Sequence, residues 1–108
     1  MTRKEQIQQL LATTPQDPFL RFALAKEYEK EGDDAEAIRG YEALAQDSPD
    51  YVGTYYHLGK ALERVRREAD AWRTYTTGMA VAKRLGEAHA LTELGGARME
   101  LGDEEDFS

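Results

Sequence analysis

Few side chains in this sequence have the type and spacing to do chemistry. His57, His89 and Glu93 are the residues that a metal ion or a migrating proton would choose. The histidines lie on separate segments, no cysteine accompanies them, and no ligand-spacing motif surrounds them, so they read as ordinary surface residues. The sequence contains no Ser-His-Asp arrangement, glycine-rich phosphate loop or zinc spacing. The absence of cysteine also excludes a disulfide framework and thiolate chemistry. The expectation is a protein that is not an enzyme and that needs no metal and no cofactor. Regular spacing belongs instead to aromatic rings beside charged groups. One set is Phe19, Phe22, Lys26, Glu29 and Lys30; a second is Tyr56, His57, Lys60, Glu63 and Arg64. Steps of three and four place each set on one helix stripe. Rings beside cations suit a peptide with both apolar and acidic groups. The competing structural reading packs Phe19 and Phe22 on the N-terminal helix and leaves the charges as a solvated face.

The elements that must position these stripes repeat. Leu24 returns as Leu58, Lys26 as Lys60 and Glu29 as Glu63, each 34 residues on. Ala35, Ala37, Arg39 and Tyr41 return at the same offset as Ala69, Ala71, Arg73 and Tyr75. Phe22/Tyr56, Lys30/Arg64 and Glu36/Asp70 keep their chemistry. A fixed period of this length marks a stacked helical repeat. Leu24 with Tyr28, and Leu58 with Leu62, share one face of a helix. Ala25, Gly59, Ala37 and Ala71 are small where two helices must approach closely, and Tyr41 and Tyr75 are large where the second helix fills a gap. Glycine inside a helix costs about 1 kcal/mol relative to alanine, so Gly59 implies a compensating close packing.

These residues resemble the tetratricopeptide repeat pattern of Trp-x2-Leu-Gly-x2-Tyr, Ala-x3-Phe and a closing proline. The first copy reads Arg21-x2-Leu24-Ala25-x2-Tyr28, Ala37-x3-Tyr41 and Pro49; the second reads Tyr55-x2-Leu58-Gly59-x2-Leu62 and Ala71-x3-Tyr75, with Lys83 where proline would stand. The resemblance implies an all-α fold of antiparallel helix pairs stacked as a short right-handed solenoid. It also implies that the first helix of each pair lines a concave groove for an extended peptide. The groove residues would be Phe19, Phe22, Lys26, Lys30, Tyr56, His57, Lys60 and Arg64. Some members of the family clamp a chaperone's terminal carboxylate with lysines and asparagines. This chain has no asparagine, and Phe22 stands where that clamp has a lysine, so that function is not expected.

Along the chain about six helices are expected. The first, Arg3–Thr13, carries Ile7, Leu10 and Leu11 on one face and reads as a second helix without its first (half repeat 3–16). Asp17-Pro18 caps and starts the next, which Gly32 stops near Glu31. Asp33 and Glu36 suit a capping box for the helix that runs to about Gln46. Ser48-Pro49-Asp50 breaks it, and a helix from about Tyr51 to Val65 follows. The turn at Arg66-Arg67 has no local signal and is placed by register alone. A helix from Glu68 runs on to Leu85, stopped by Gly86. The full repeats span 18–49 and 51–85. A capping helix over 87–101 closes the stack. Strict register would put His89 and Thr92 at its core places; a two-residue slip puts Leu91 and Leu94-Gly95 there instead, and the slip is the reading adopted. The domain is expected over 1–102, with an acidic, disordered tail over 103–108.

The net charge is −7, and Asp103, Glu104, Glu105 and Asp106 contribute four of those charges. An acidic chain is a poor candidate for nucleic acid. No apolar run approaches the roughly 18 residues of a membrane span, and the polar start is no signal peptide, so a cytoplasmic location is expected. The function expected is a groove that binds an unidentified protein or peptide, in a monomer. The alternative is self-association through the apolar terminal helix, with Leu91, Leu94, Met99 and Leu101 supplying the area.

Overall fold

The structure, a computed structural model, describes residues 1–107. They form α1 (Arg3–Thr13), α2 (Pro18–Lys30), α3 (Asp34–Asp47), α4 (Gly53–Arg64), α5 (Glu68–Leu85), α6 (Ala88–Leu101) and a single turn, α7 (Glu104–Phe107). The extents of 46 × 30 × 20 Å are those of a short stack. Each helix from α1 to α6 packs on its neighbours in sequence, and α4 also reaches α6.

Local chemistry sets the helix ends. Thr2 and Glu5 make a reciprocal capping box on α1. Asp17 caps α2 with Pro18 at its first position, and Asp33 accepts from the Glu36 amide at the start of α3. α4 starts at Gly53, two residues later than Tyr51, and no side chain caps it. Three helices end in the same hydrogen-bonded turn. The Asp33, Arg67 and Glu87 amides reach back to the carbonyls of Tyr28, Leu62 and Ala82 at 2.9, 2.9 and 2.8 Å. The turning residue is left-handed each time: Gly32 at φ 79°, Arg66 at 67° and Gly86 at 73°. Arg66 stands 34 residues after Gly32, which is why register could find this turn and composition could not.

The core is the repeated set. Ala37, Tyr41, Ala71 and Tyr75 are fully buried, and Ala25, Leu58 and Leu62 nearly so. Two different glycines achieve the close helix approach. In the first repeat Gly40 faces Ala25, whose methyl would lie 3.3 Å from an added Cβ. In the second, Gly59 receives the Tyr75 ring, and a Cβ there would sit 2.1 Å from Cε1. Leu24 and Tyr28 are only partly buried, because the thin α1 is all that covers the first repeat on that side. Ile7 anchors α1 in the core, while Leu10, expected beside it, is 56% exposed, since none of the described helices packs on its outer side.

At the other end the slip by two is what the fold adopts. Leu94 and Ala97 are buried as Leu58 and Ala61 are, and His89 and Thr92 are exposed. Residues 104–107 form a single helical turn, and Phe107 stacks on Trp72 with ring centroids 5.8 Å apart. Ser108, also assigned to the tail, lies outside the described residues.

Candidate functional site

The aromatic and cationic stripes meet as one continuous strip across the two repeats. Lys26 Nζ sits 5.7 Å above the Phe22 ring, one turn along α2. Lys60 Nζ sits 5.6 Å above the Tyr56 ring, one turn along α4. His57 joins the two pairs, edge-on to Phe22 at 5.1 Å and to Tyr56 at 5.7 Å. A Lys-Phe-His-Tyr-Lys row therefore runs from the first repeat to the second. The identical offset of both pairs follows from the period: residues four apart on a helix are neighbours on its surface.

Phe22 is less free than the others. Its ring also packs on Tyr41 at 5.8 Å and on Tyr51 at 5.6 Å, so it wedges the junction between the repeats. Phe19 does not pack away against α1; it is 62% exposed. With Arg3, Lys26 and Lys30 it borders a shallow hollow of about 120 Å³. Tyr51 and Arg3 belong to this surface and were not singled out by the sequence. Their signal was weak, since neither has a matching residue in the other repeat.

The carboxylates of the stripes do not point freely into a groove. Glu29 accepts a hydrogen bond on Oε1 from the Tyr41 hydroxyl and on Oε2 from Arg64, and Oε1 also lies 3.6 Å from His57 Nδ1. Glu63 accepts from the Tyr75 hydroxyl. The repeated Glu and Tyr are thus one device used twice, a carboxylate on the first helix tying down the tyrosine that fills the gap. Burial alone would raise the Glu29 carboxyl. Hydrogen bonds from His57, Tyr41 and Arg64 outweigh it and hold the carboxyl at about 2. Burial and the carboxylate partner together push the Tyr41 and Tyr75 phenols upward.

Arg64 also binds Asp34 at 3.0 Å, so it is a clamp between repeats rather than an open cation. Lys30 is paired with Glu27 at 3.0 Å, and Lys60 lies 3.9 Å from Glu63. Lys26 has no carboxylate within ion-pair reach among the described residues. His89 is exposed, and among the described residues no three His, Asp or Glu side chains converge as a metal would require.

The solved structures that share this architecture decide the family. A tetratricopeptide repeat domain protein from Salinibacter ruber is 46% identical; its crystal structure covers 79% of this chain and 94% of its own, with a TM-score of 0.76. Its solution structure covers 81% and 88%, with a TM-score of 0.78. The chain belongs to the tetratricopeptide repeat family. A protein from Bordetella parapertussis, 26% identical, extends the likeness over 94% of this chain and 88% of its own at a TM-score of 0.81. No family profile matches the chain, and no curated protein matches it.

Tetratricopeptide repeat membership makes the chain a helical scaffold of the kind that binds proteins or peptides. Among the described residues no helix is long and apolar enough to cross a membrane.

Proposed function

We propose that this chain is a non-catalytic interaction module and that the strip from Lys26 through Phe22, His57 and Tyr56 to Lys60 holds its partner. The observation that carries this reading is the duplicated ring-and-ammonium pair. It offers two apolar platforms with a cation beside each, at one spacing. A peptide segment laid across both repeats would place apolar side chains on the rings and acidic groups near the ammonium ions. The absence of enzymatic activity is part of the same proposal. Glu29 and His57, which could exchange a proton, are engaged with Tyr41 and Arg64 in holding the two repeats together.

Exposed charge pairs contribute only about 0–1 kcal/mol each, whereas buried aromatic anchors dominate binding energy. Tyr56 should therefore matter more than either lysine. Phe22 is a poor probe on its own, since removing it also loosens the repeat junction. The test selects peptides from a displayed random library on the parent protein and measures their affinity for two variants. Tyr56→Ala is expected to weaken binding about tenfold or more, equivalent to about 1.4 kcal/mol. Lys26→Glu with Lys60→Glu is expected to weaken it less and to abolish its salt dependence. Undiminished binding by both variants, with parental helicity, would reject the strip as the binding surface.

A further inference from the structure

A stacked fold repeats the residues that its packing requires, so residues that break the period answer to something else. The corner where α1 meets α2 breaks it three times. Glu27 stands where the second repeat has the buried Ala61, Phe19 where it has Gly53, and Arg3 where the first repeat has the buried Ala37. The core has no use for a carboxylate, a phenyl ring and a guanidinium at these places. Lys26 and Lys30 keep cationic counterparts in Lys60 and Arg64. Arg64, however, is tied between Glu29 and Asp34, whereas Lys30 meets only Glu27 among the described residues.

Glu27 organises this corner. Arg3 Nε, from α1, and Lys30 Nζ, from the end of α2, lie 3.4 and 3.0 Å from the same oxygen, Oε2. The Glu27 side chain is 14% exposed and the two cations 64% and 65%, so the carboxylate lies beneath while the cations face solvent. Lys26 borders the same hollow and has no carboxylate in reach among the described residues. Three cations against one carboxylate leave an excess of two positive charges, in a chain whose net charge is −7. The exposed Phe19 ring is an apolar wall beside them. At Lys26 the corner joins the strip that crosses the two repeats.

We infer that this corner is a subsite for a phosphorylated side chain on the peptide that the strip holds; the inference rests on the strip reading for that peptide. A phosphoryl group carries about −1.5 to −2 charges at pH 7 and three strong acceptor oxygens, which matches an excess of two charges and three cationic donors. A carboxylate brings a single charge and two oxygens, so it would leave one cation without a partner. Guanidinium and ammonium groups donate charge-assisted hydrogen bonds to phosphate oxygens. Glu27 holds Arg3 and Lys30 together in advance, which lowers the cost of ordering them on binding. Phe19 covers the carbon stem of the phosphorylated residue. The partner segment therefore carries phosphoserine or phosphothreonine, with apolar residues on one side of it that reach Phe22 and Tyr56. Phosphorylation of the partner switches its recruitment.

The probes are three synthetic peptide libraries with randomised residues on both sides of a fixed phosphoserine, serine or glutamate, passed over the immobilised full chain. The phosphoserine library should be retained about tenfold or more above the other two, the gain expected of charge-assisted hydrogen bonds. Sequencing of the retained peptides should show apolar residues on one side of the phosphoserine, a preference that Tyr56→Ala removes. Arg3→Gln with Lys26→Gln should reduce the excess of phosphoserine over serine to about twofold or less at parental helicity. Lys30 is kept in that variant so that Glu27 retains a partner. Equal retention of the three libraries, or an excess that survives in the double variant, would overturn the subsite. Displacement of the retained peptides by equimolar inorganic phosphate would also overturn it, in favour of a site for a free anion. An excess that needs Arg3 and Lys26 but shows no apolar preference would reject the strip and keep the subsite. Tyr56-dependent retention without any excess would keep the strip and reject the subsite.

Discussion

Replacing Gly59 by alanine adds one methyl group at a place that the Tyr75 ring already fills. The new Cβ would lie 2.1 Å from Tyr75 Cε1, 2.5 Å from Cζ and 2.7 Å from Cδ1. Carbon atoms rest comfortably at about 3.5 Å, so the ring would have to retreat by roughly 1.4 Å. It has nowhere to go: Tyr75 is fully buried, and its hydroxyl is held by Glu63. Overpacking of this kind costs about 1–3 kcal/mol, and a loosened bond to the carboxylate adds to it. Against this, alanine in a helix interior gains about 1 kcal/mol over glycine. The net expectation is a loss of about 2 kcal/mol. For a domain near this size 1 kcal/mol moves the melting temperature by about 4–8 °C, so the midpoint should fall by roughly 8–16 °C. Gly96→Ala is the control. Nothing lies within 4 Å of its added Cβ, so the propensity gain of up to about 1 kcal/mol should appear alone, as a rise of a few degrees. Thermal melts followed by circular dichroism should therefore rank Gly96→Ala above the parent and the parent above Gly59→Ala. A Gly59→Ala variant that melts at or above the parent would refute the close packing inferred for this pair.

Arg66 is held at φ 67°, a conformation that costs an L-residue about 1–2 kcal/mol, so Arg66→Gly should stabilise by about 1 kcal/mol despite losing an exposed contact to Glu68; a denaturant midpoint that falls would count against it. Thr54 is fully buried and its hydroxyl has no partner among the described residues, so Thr54→Val should raise stability by about 1 kcal/mol in the same assay, and a loss would mean that the hydroxyl is satisfied in solution. Glu29 is held at about 2, below the ordinary 4.5, so its contribution is complete above pH 4.5 and fades as the pH falls toward 2. The stability gap between parent and Glu29→Gln, at most about 3 kcal/mol by this linkage, should therefore shrink across that range, and a gap independent of pH would show that ionisation of Glu29 is not its source.

The sequence by itself determined the repeat, the helix pairs and the core. Tyr41 and Tyr75, or Ala37 and Ala71, announce their burial because a stacked fold places every period in the same environment, and such environments demand the same residue twice. The same logic located the turn at Arg66 and the slip in α6, where Leu94 and Gly95 could be aligned with Leu58 and Gly59. Tertiary structure decided what periodicity cannot express. Glu29 and Arg64 looked like groove charges on their own helices, but their partners Tyr41 and Asp34 lie on α3, and only packing brings them together. Phe22 wedges a junction because Tyr51 and His57 arrive from the next repeat. The acidic tail was read from its charge, and only packing brings its one aromatic, Phe107, onto Trp72 of α5. Composition records how a segment interacts with water, whereas a stacked pair of rings depends on a contact with a distant helix.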